Sequence, residues 1–144
     1  ATAGSTYGTT SDPMRAAVWL WLGSHLTPFH ITSNEITGSL KEWEVAVDGA
    51  TSKAGEVTFT ISNKGTIGHE FLVVKTDIAL GEIPLDGDHF AEPTDGIEVI
   101  DEIGEFAKGT TEVLVLALEP GNYQLVCNLP DHYEAGMHAS FTVS

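Results

Sequence analysis

From residue 43 onward, hydrophobic and polar residues alternate in short runs, which is the pattern of half-buried β-strands. The runs are rich in β-branched and aromatic residues, and glycine, proline or asparagine turns separate them. They cover residues 43–48, 56–62, 70–74, 112–118, 123–127 and 139–143. Many short strands joined by turns predict an all-β fold, an antiparallel sandwich or barrel.

The first 42 residues do not share this alternation. Residues 1–11 are small and polar, so we expect a flexible lead-in. Asp12 and Pro13 are suited to the N-cap and the first helical position, and they predict a short helix over residues 13–22. The chain therefore divides into three parts: this lead-in, an N-terminal extension of residues 12–42 that contains the helix, and a strand-rich domain of residues 43–144.

Charge narrows the classes of ligand. The 144 residues include 21 acidic and only 6 basic side chains, giving a formal net charge of −15. Proteins recognise nucleic acids and anionic lipids with lysine and arginine. The charge therefore excludes nucleic-acid binding and disfavours binding to an anionic lipid surface. Ten acids lie within residues 77–107, which contain no lysine or arginine. Their spacing does not match a calcium-binding loop, and we interpret them as a solvated surface.

The single cysteine, Cys127, cannot form an intramolecular disulfide, but it begins a motif with chemical meaning. Four residues separate Cys127 from His132, and four more separate His132 from Met137. Cys127 ends one predicted strand and Met137 opens the next, so the loop between them can direct three side chains to one point. A thiolate, an imidazole and a thioether select copper, and the electron-transfer copper site adds a second histidine. The alternative is a buried cysteine with unrelated polar neighbours.

His69 is the best candidate for the second histidine. It stands at the start of a predicted strand, directly after a turn, and a rigid strand end can point a side chain inward. Adjacent strand residues face opposite sides of a sheet, so His138, next to Met137, should face away from a metal. The remaining histidines lie in the acidic stretch or in the N-terminal segment: His89, His25 and His30.

Three segments of the chain resemble the cupredoxins, the family of small blue copper proteins. They are Asn63–Phe71, Leu118–Tyr123 and the loop Cys127–Met137, and the resemblance extends over residues 43–144. The spacing within the loop is similar to that of rusticyanin and auracyanin. The resemblance implies a Greek-key β-sandwich or barrel and one type 1 copper ion. By the same resemblance, the equatorial ligands are His69, Cys127 and His132, and the axial ligand is Met137.

Glu70 departs from the family pattern, in which asparagine commonly follows the first histidine ligand. That neighbour helps to brace the loop that carries the cysteine. Glu70 is also a candidate copper ligand, as a carboxylate is in nitrosocyanin. A methionine at the axial position makes this the minor interpretation.

Four protein ligands leave a copper ion no position for a substrate, which favours electron transfer over catalysis. We therefore expect a one-electron carrier rather than an enzyme, with His132 in an exposed loop as the electron port. The expected apolar docking patch around it consists of Leu129, Pro130, Ala135, Gly136 and Met137. Its partners would be redox proteins that bind transiently through a basic or apolar face.

We expect a membrane contact only through an N-terminal tether, since no apolar run approaches the ~20 residues that span a bilayer. The family resemblance and the lead-in imply an extracytoplasmic location, in the periplasm or on the outer face of the membrane.

Other functions could use the same ligands. A copper chaperone or scavenger would bind copper with them but would exchange its metal. A copper oxidase or nitrite reductase domain needs a second copper, and no His-x-His pair supports it. Zinc also suits these ligand types.

Overall fold

The structure is a computed structural model that describes residues 5–6, 17–22, 25–30 and 33–144. These residues form twelve strands and one short helix. In chain order they are β1 (Ser5–Thr6), β2 (Ala17–Leu22), β3 (His25–His30), β4 (Ser33–Lys41), β5 (Glu44–Val47), β6 (Thr51–Ser52), β7 (Gly55–Asn63), β8 (His69–Thr76), β9 (Ile97–Phe106), β10 (Thr111–Leu118), β11 (Gly121–Val126), α1 (His132–Ala135) and β12 (His138–Val143).

Two sheets form the body of the protein, as the alternating pattern predicted. One has the strand order β10-β7-β4-β5 and the other β6-β12-β11-β8-β9. Most neighbouring strands are antiparallel, but β4 runs parallel to β7 and β6 runs parallel to β12. The fold is therefore an all-β sandwich with mixed sheets. Among the described residues, no helix has both the length and the apolar character that crossing a bilayer requires.

The N-terminal segment differs from the expectation. The predicted helix over residues 13–22 is wrong for residues 17–22, which form strand β2. This strand pairs antiparallel with β3 and with β1 in a small separate sheet. Valine and tryptophan in β2 favour a strand, and the segment lacks the single apolar stripe of a helix. Residues 13–16 and most of the predicted lead-in lie outside the described residues.

Strand β4 lies in the predicted N-terminal extension, yet it pairs with β7 along residues 33–40. It contributes Ile36 and Leu40 to the buried core. The predicted boundaries after residues 11 and 42 stay predictions. The pairing nevertheless means that β4 and the strand-rich part share one hydrophobic core.

The strands bury two groups of side chains. The larger group lies between the two sheets and includes Phe59, Phe71 and Cys127. The smaller group lies on the other face of β8, because adjacent residues on a strand point to opposite faces. It joins Leu72 and Val74 of β8 to a set contributed by other segments: Ile83, Phe90, Val126 and Tyr133.

The acidic stretch is only partly the solvated surface that its charge indicated. Residues 97–106 of it form strand β9, which pairs with β8. The preceding segment buries Ile83 and Phe90 in the smaller group. Its carboxylates are mostly exposed, whereas Ile83 and Phe90 pack with Leu72 and Val74 of β8. The segment therefore contributes to the core and lies against the loop that follows β11.

Candidate metal centre

Strand ends gather the predicted ligands at one end of the sandwich. His69 is the first residue of β8, and Cys127 directly follows β11, the strand next to β8. His132 begins the one-turn helix α1, and Met137 directly precedes β12. Because β11 lies between β8 and β12, the four residues are brought together by neighbouring strands.

Three of these side chains present their ligand atoms to one another. The Nδ1 atoms of His69 and His132 lie 3.2 Å apart. The Sγ atom of Cys127 lies 3.3 Å from Nδ1 of His132 and 4.0 Å from Nδ1 of His69. Such separations suit three ligands that share one ion at bond lengths of about 2.0–2.3 Å. The described residues bring these three together as a potential metal-binding group.

Met137 lies in the same buried group as Cys127 and is itself fully buried. Its backbone closes the loop, because the Cys127 N–H donates to the Met137 carbonyl at 3.1 Å. The Met137 N–H donates in turn to the His132 carbonyl at 3.1 Å. The two ends of the loop are therefore hydrogen-bonded together, and the side chains of Cys127 and Met137 belong to the same buried group.

The sulfur of Cys127 is shielded from water. The Glu70 N–H donates a hydrogen bond to Sγ at 3.3 Å. Burial nevertheless raises the pKa of the Cys127 thiol to about 11. A buried thiol of this kind releases its proton when a cation takes its place, so its surroundings suit a metal ligand better than a free nucleophile.

Glu70 supports the loop in the position where the family commonly has asparagine. Its carboxylate accepts a hydrogen bond from the Asn128 N–H at 3.1 Å, next to Cys127. Burial and the charges of Glu102 and Glu92 raise the pKa of Glu70 to about 7. The carboxylate is absent from the group of potential metal ligands among the described residues. The geometry thus favours the bracing role over a ligand role.

Asn128 connects the ligand loop to the acidic segment. Its side-chain oxygen accepts from the Phe90 N–H at 3.0 Å, and its amide nitrogen donates to the Phe90 carbonyl at 2.9 Å. The same nitrogen donates to a carboxylate oxygen of Glu92 at 2.8 Å. The acidic segment therefore anchors the loop through a buried side chain.

The surroundings of His132 differ from the expected exposed loop. His132 is only 7% exposed, and burial followed by the neighbouring His69 lowers its pKa. The ring of Trp43 packs against it edge-on, with ring centroids 4.9 Å apart. The next residue, Tyr133, is also buried, and its hydroxyl donates to the Gln124 side-chain oxygen at 2.7 Å.

The expected docking patch is also modified. Pro130 and Ala135 are exposed and Leu129 and Gly136 are half-buried, whereas Met137 is fully buried and adds no surface. Trp43, which was expected only as the start of a strand, is 46% exposed and packs against the ring of His132. The apolar surface near the histidine is therefore formed in part by the turn between β4 and β5.

A second residue of that turn, Glu42, was not expected at the site. Its Oε1 atom lies 2.7 Å from Nε2 of His69. Burial alone would raise the pKa of Glu42, but hydrogen bonds from His69 and Thr66 lower it to about 2. No sequence signal marks this contact, since Glu42 precedes His69 by 27 residues in a turn without a motif.

Two of the other histidines, His138 and His89, stand apart from the group of ligands. The ring of His138 packs against Tyr133 with centroids 5.1 Å apart, on the far side of β12 from the core that holds Met137. His89 is exposed at the surface, where its Nδ1 atom lies 2.8 Å from Asp88. His25 and His30 belong to β3, and their side chains lie outside the described part of the chain.

Two buried imidazoles, one buried thiol and a buried thioether are the residue types of a type 1 copper site. The sequence comparison agrees with this donor set. Residues 44–144 match the family of copper-binding proteins described as the plastocyanin/azurin family. The chain belongs to this family, the cupredoxins, and the group of His69, Cys127 and His132 fits a single type 1 copper ion.

Solved structures share the fold. A dithionite-reduced auracyanin from Roseiflexus castenholzii is 24% identical, with a TM-score of 0.55 over 78% of this chain and 97% of its own. Rusticyanin from Thiobacillus ferrooxidans is 17% identical, with a TM-score of 0.58 over 88% of this chain and 86% of its own. Auracyanin A from Chloroflexus aurantiacus is 19% identical, with a TM-score of 0.55 over 78% and 100%. Among curated proteins, none matches the chain significantly in sequence.

Proposed function

We propose that this protein is a one-electron carrier, not an enzyme, and that its single type 1 copper cycles between Cu(I) and Cu(II). The observation that carries the proposal is the burial of the ligand group. His69, Cys127 and Met137 are fully buried, and His132 is 7% exposed. A substrate has no route to a metal enclosed in this way, whereas an electron needs only a short path to the surface.

His69, Cys127, His132 and Met137 are the residues that would hold the copper. The copper supplies the one-electron redox couple when it is bound. The protein would keep the ligands in place before and after transfer. Strand β8 holds His69, and the hydrogen bond from the Cys127 N–H to the Met137 carbonyl closes the loop. The Glu70 N–H stabilises the negative charge of the thiolate. A rigid site needs little rearrangement when its charge changes.

Electrons would enter and leave near His132, the least buried of the three ligands. Trp43, Leu129, Pro130 and Ala135 surround this point with partly exposed apolar surface. We propose that a redox protein docks here transiently, with a basic or apolar face. The net charge of −15 would accelerate encounter with a basic partner, and salt would slow that encounter.

The proposed location is extracytoplasmic, in the periplasm or on the outer face of the membrane. Its support is the family membership, together with the small polar residues 1–11, which suit a tether. Fractionation of cells that express the full-length protein tests this proposal. Recovery of the protein in the cytosolic fraction alone would contradict it.

Addition of Cu(II) to the purified protein, followed by visible and EPR spectroscopy and voltammetry, tests the function. We expect an intense thiolate-to-copper band at one copper per chain and a reversible one-electron wave. Cys127→Ser should lose the band, Met137→Leu should shift it, and the control His138→Ala should keep it. A wild-type protein without the band, or one that binds only zinc, would overturn the proposal. Rapid loss of copper to a competing chelator would favour a chaperone.

A further inference from the structure

The turn between β4 and β5 places a carboxylate directly behind one of the ligand histidines. Oε1 of Glu42 lies 2.7 Å from Nε2 of His69, and Nδ1 of the same ring faces Cys127 and His132. The imidazole is fully buried, and the side chain of Glu42 is 22% exposed. The carboxylate therefore contacts the ring on the side opposite the ligand group.

This contact decides which nitrogen of His69 carries the proton. A carboxylate only accepts hydrogen bonds, so Nε2 must be the donor. In the neutral ring, Nδ1 then has a free lone pair, which is the form that binds a metal. A carboxylate behind a ligand histidine also increases the basicity of the ring.

Glu42 is itself held in place. The Thr66 N–H donates to its two carboxylate oxygens at 3.0 and 3.1 Å, and the Thr66 hydroxyl donates to Oε2 at 3.0 Å. Thr66 lies in the loop that leads into His69, so ring and loop are bound to the same side chain. A group that is fixed by several hydrogen bonds can orient its neighbour with little loss of conformational entropy.

The loop itself has independent support. The side-chain nitrogen of Asn63 donates to the carbonyls of Ile67 and Phe106 at 2.9 and 3.0 Å. Its side-chain oxygen accepts from the Gly65 N–H at 2.9 Å. A substitution at Glu42 should therefore alter the contact with His69 without unfolding the loop.

We propose that Glu42 is a positioning residue of the metal centre, which fixes the tautomer and orientation of His69 and stabilises oxidised over reduced copper. The proposal deepens the proposed function and depends on it for the redox part. The physical reason for that part is charge: a nearby carboxylate attracts Cu(II) more strongly than Cu(I). Loss of the carboxylate should weaken Cu(II) binding relative to Cu(I) and raise the reduction potential.

Glu42→Gln is the main test, because it removes the charge and keeps the size of the side chain. We expect the preference for Cu(II) over Cu(I) to fall about tenfold, the lower end of typical effects behind a ligand histidine. For one electron this change equals a rise of about 59 mV in reduction potential. Glu44→Gln is the matched control, since it removes the same charge from an exposed residue two positions away that pairs with Lys41.

Thr66→Val separates positioning from simple support of the loop. It removes one hydrogen bond to Glu42 but retains the carboxylate behind His69. We expect Thr66→Val to have a much smaller effect on the potential than Glu42→Gln. Equal shifts in Glu42→Gln and Glu44→Gln, or in Glu42→Gln and Thr66→Val, would overturn the proposal.

NMR of the zinc-bound protein provides a readout that needs no redox activity. In the wild type, the Nε2 proton of His69 should resonate downfield and exchange slowly with water. In Glu42→Ala the resonance should move upfield and exchange faster. An unchanged resonance would overturn the positioning role even if copper cycles normally. A wild type without a thiolate-to-copper band would instead refute the proposed function, while the zinc experiment still decides the role of Glu42.

Discussion

The two histidines of the ligand group each stand at the start of an element of secondary structure, but their surroundings differ. His69 begins a strand, is fully buried and has a carboxylate behind its ring. His132 begins a one-turn helix in a loop, reaches the surface with 7% of its area and has an indole against its ring. Adjacent residues of one turn provide both contacts, Glu42 for His69 and Trp43 for His132.

The difference shows how one end of the sandwich can combine two requirements. A charged hydrogen bond has a fixed direction and orients an imidazole, so the His69 side provides rigidity. An aromatic edge contact excludes water but leaves the outer nitrogen of the ring free, so the His132 side provides access. A redox centre needs both, because rigid ligands limit rearrangement and an accessible ligand admits the electron.

The largest difference between the His69 side and the His132 side should appear when each imidazole is removed. His69→Ala leaves the Glu42 carboxylate without its buried partner, and we expect the metal-free protein to lose more unfolding free energy than it does in His132→Ala. His132→Ala leaves no such charge and should cost about 1 kcal/mol. Urea unfolding of the two metal-free variants measures both values, and equal losses would show that the two sides are not held differently.

The next largest effect should come from Tyr133, which anchors the loop on the His132 side through its hydroxyl. The hydroxyl of Tyr133 donates to Gln124 and accepts from the Ile83 N–H, and all three residues are buried. Tyr133→Phe leaves these groups unpaired and should cost about 1–2 kcal/mol. It should also change the copper spectrum, because Tyr133 follows His132.

Tyr123→Phe is the control for this prediction. It also removes a hydroxyl hydrogen bond, to the Glu119 carbonyl, but it lies far along β11 from Cys127. Unfolding and visible spectra of both variants give the answer. A spectral change of the same size in Tyr123→Phe would mean that the network around Tyr133 does not orient the ligand loop.

The carboxylate of Glu70, which braces the ligand loop, should titrate in the pH range of the unfolding experiment. The folded pKa of Glu70, about 7, lies above the ordinary 4.5, so the folded protein binds this proton more tightly than the unfolded chain does. The stability contributed by this group is complete below pH 4.5 and is lost as the pH rises towards 7. Glu70→Gln should remove this part of the pH dependence of unfolding in the metal-free protein. A slope equal to that of the wild type would contradict the shift.

The smallest effect should come from Trp43, whose ring packs against that of His132. Trp43→Leu removes an aromatic contact at a residue that is 46% exposed, and it should cost about 0.5–1 kcal/mol. Oxidation of the reduced copper protein by a small complex such as ferricyanide should become faster, because the ring of His132 becomes more accessible. A slower reaction would show that the indole conducts electrons rather than covers the port.

Much of this arrangement could be predicted. The alternating runs lie within or overlap β5, β7, β8, β10, β11 and β12, because one buried face leaves a period of two in the sequence. The spacing of Cys127, His132 and Met137 indicated the ligand loop, because both ends of the loop belong to predicted strands. The position of His69 at a strand start indicated the second imidazole.

Other features were missed for physical reasons. Strand β9 is paired irregularly with β8 and has mostly half-buried and exposed residues, so its alternation is weak. The helix expected over residues 13–22 rested on local capping signals, and strand pairing overrides such signals in β2. The burial of Tyr133 depends on the acidic segment that covers it, which local polarity does not reveal.

Short stretches of the sequence were enough to predict the class of protein and the candidate ligands, because donor chemistry and strand periodicity are local properties of the chain. What surrounds those residues follows only from the packing of the folded chain. Glu42 reaches His69 and Trp43 reaches His132 from a turn whose side chains follow no period. Such contacts depend on how β4 and β5 pack beside β8 and the ligand loop, and no local pattern records the packing of distant strands.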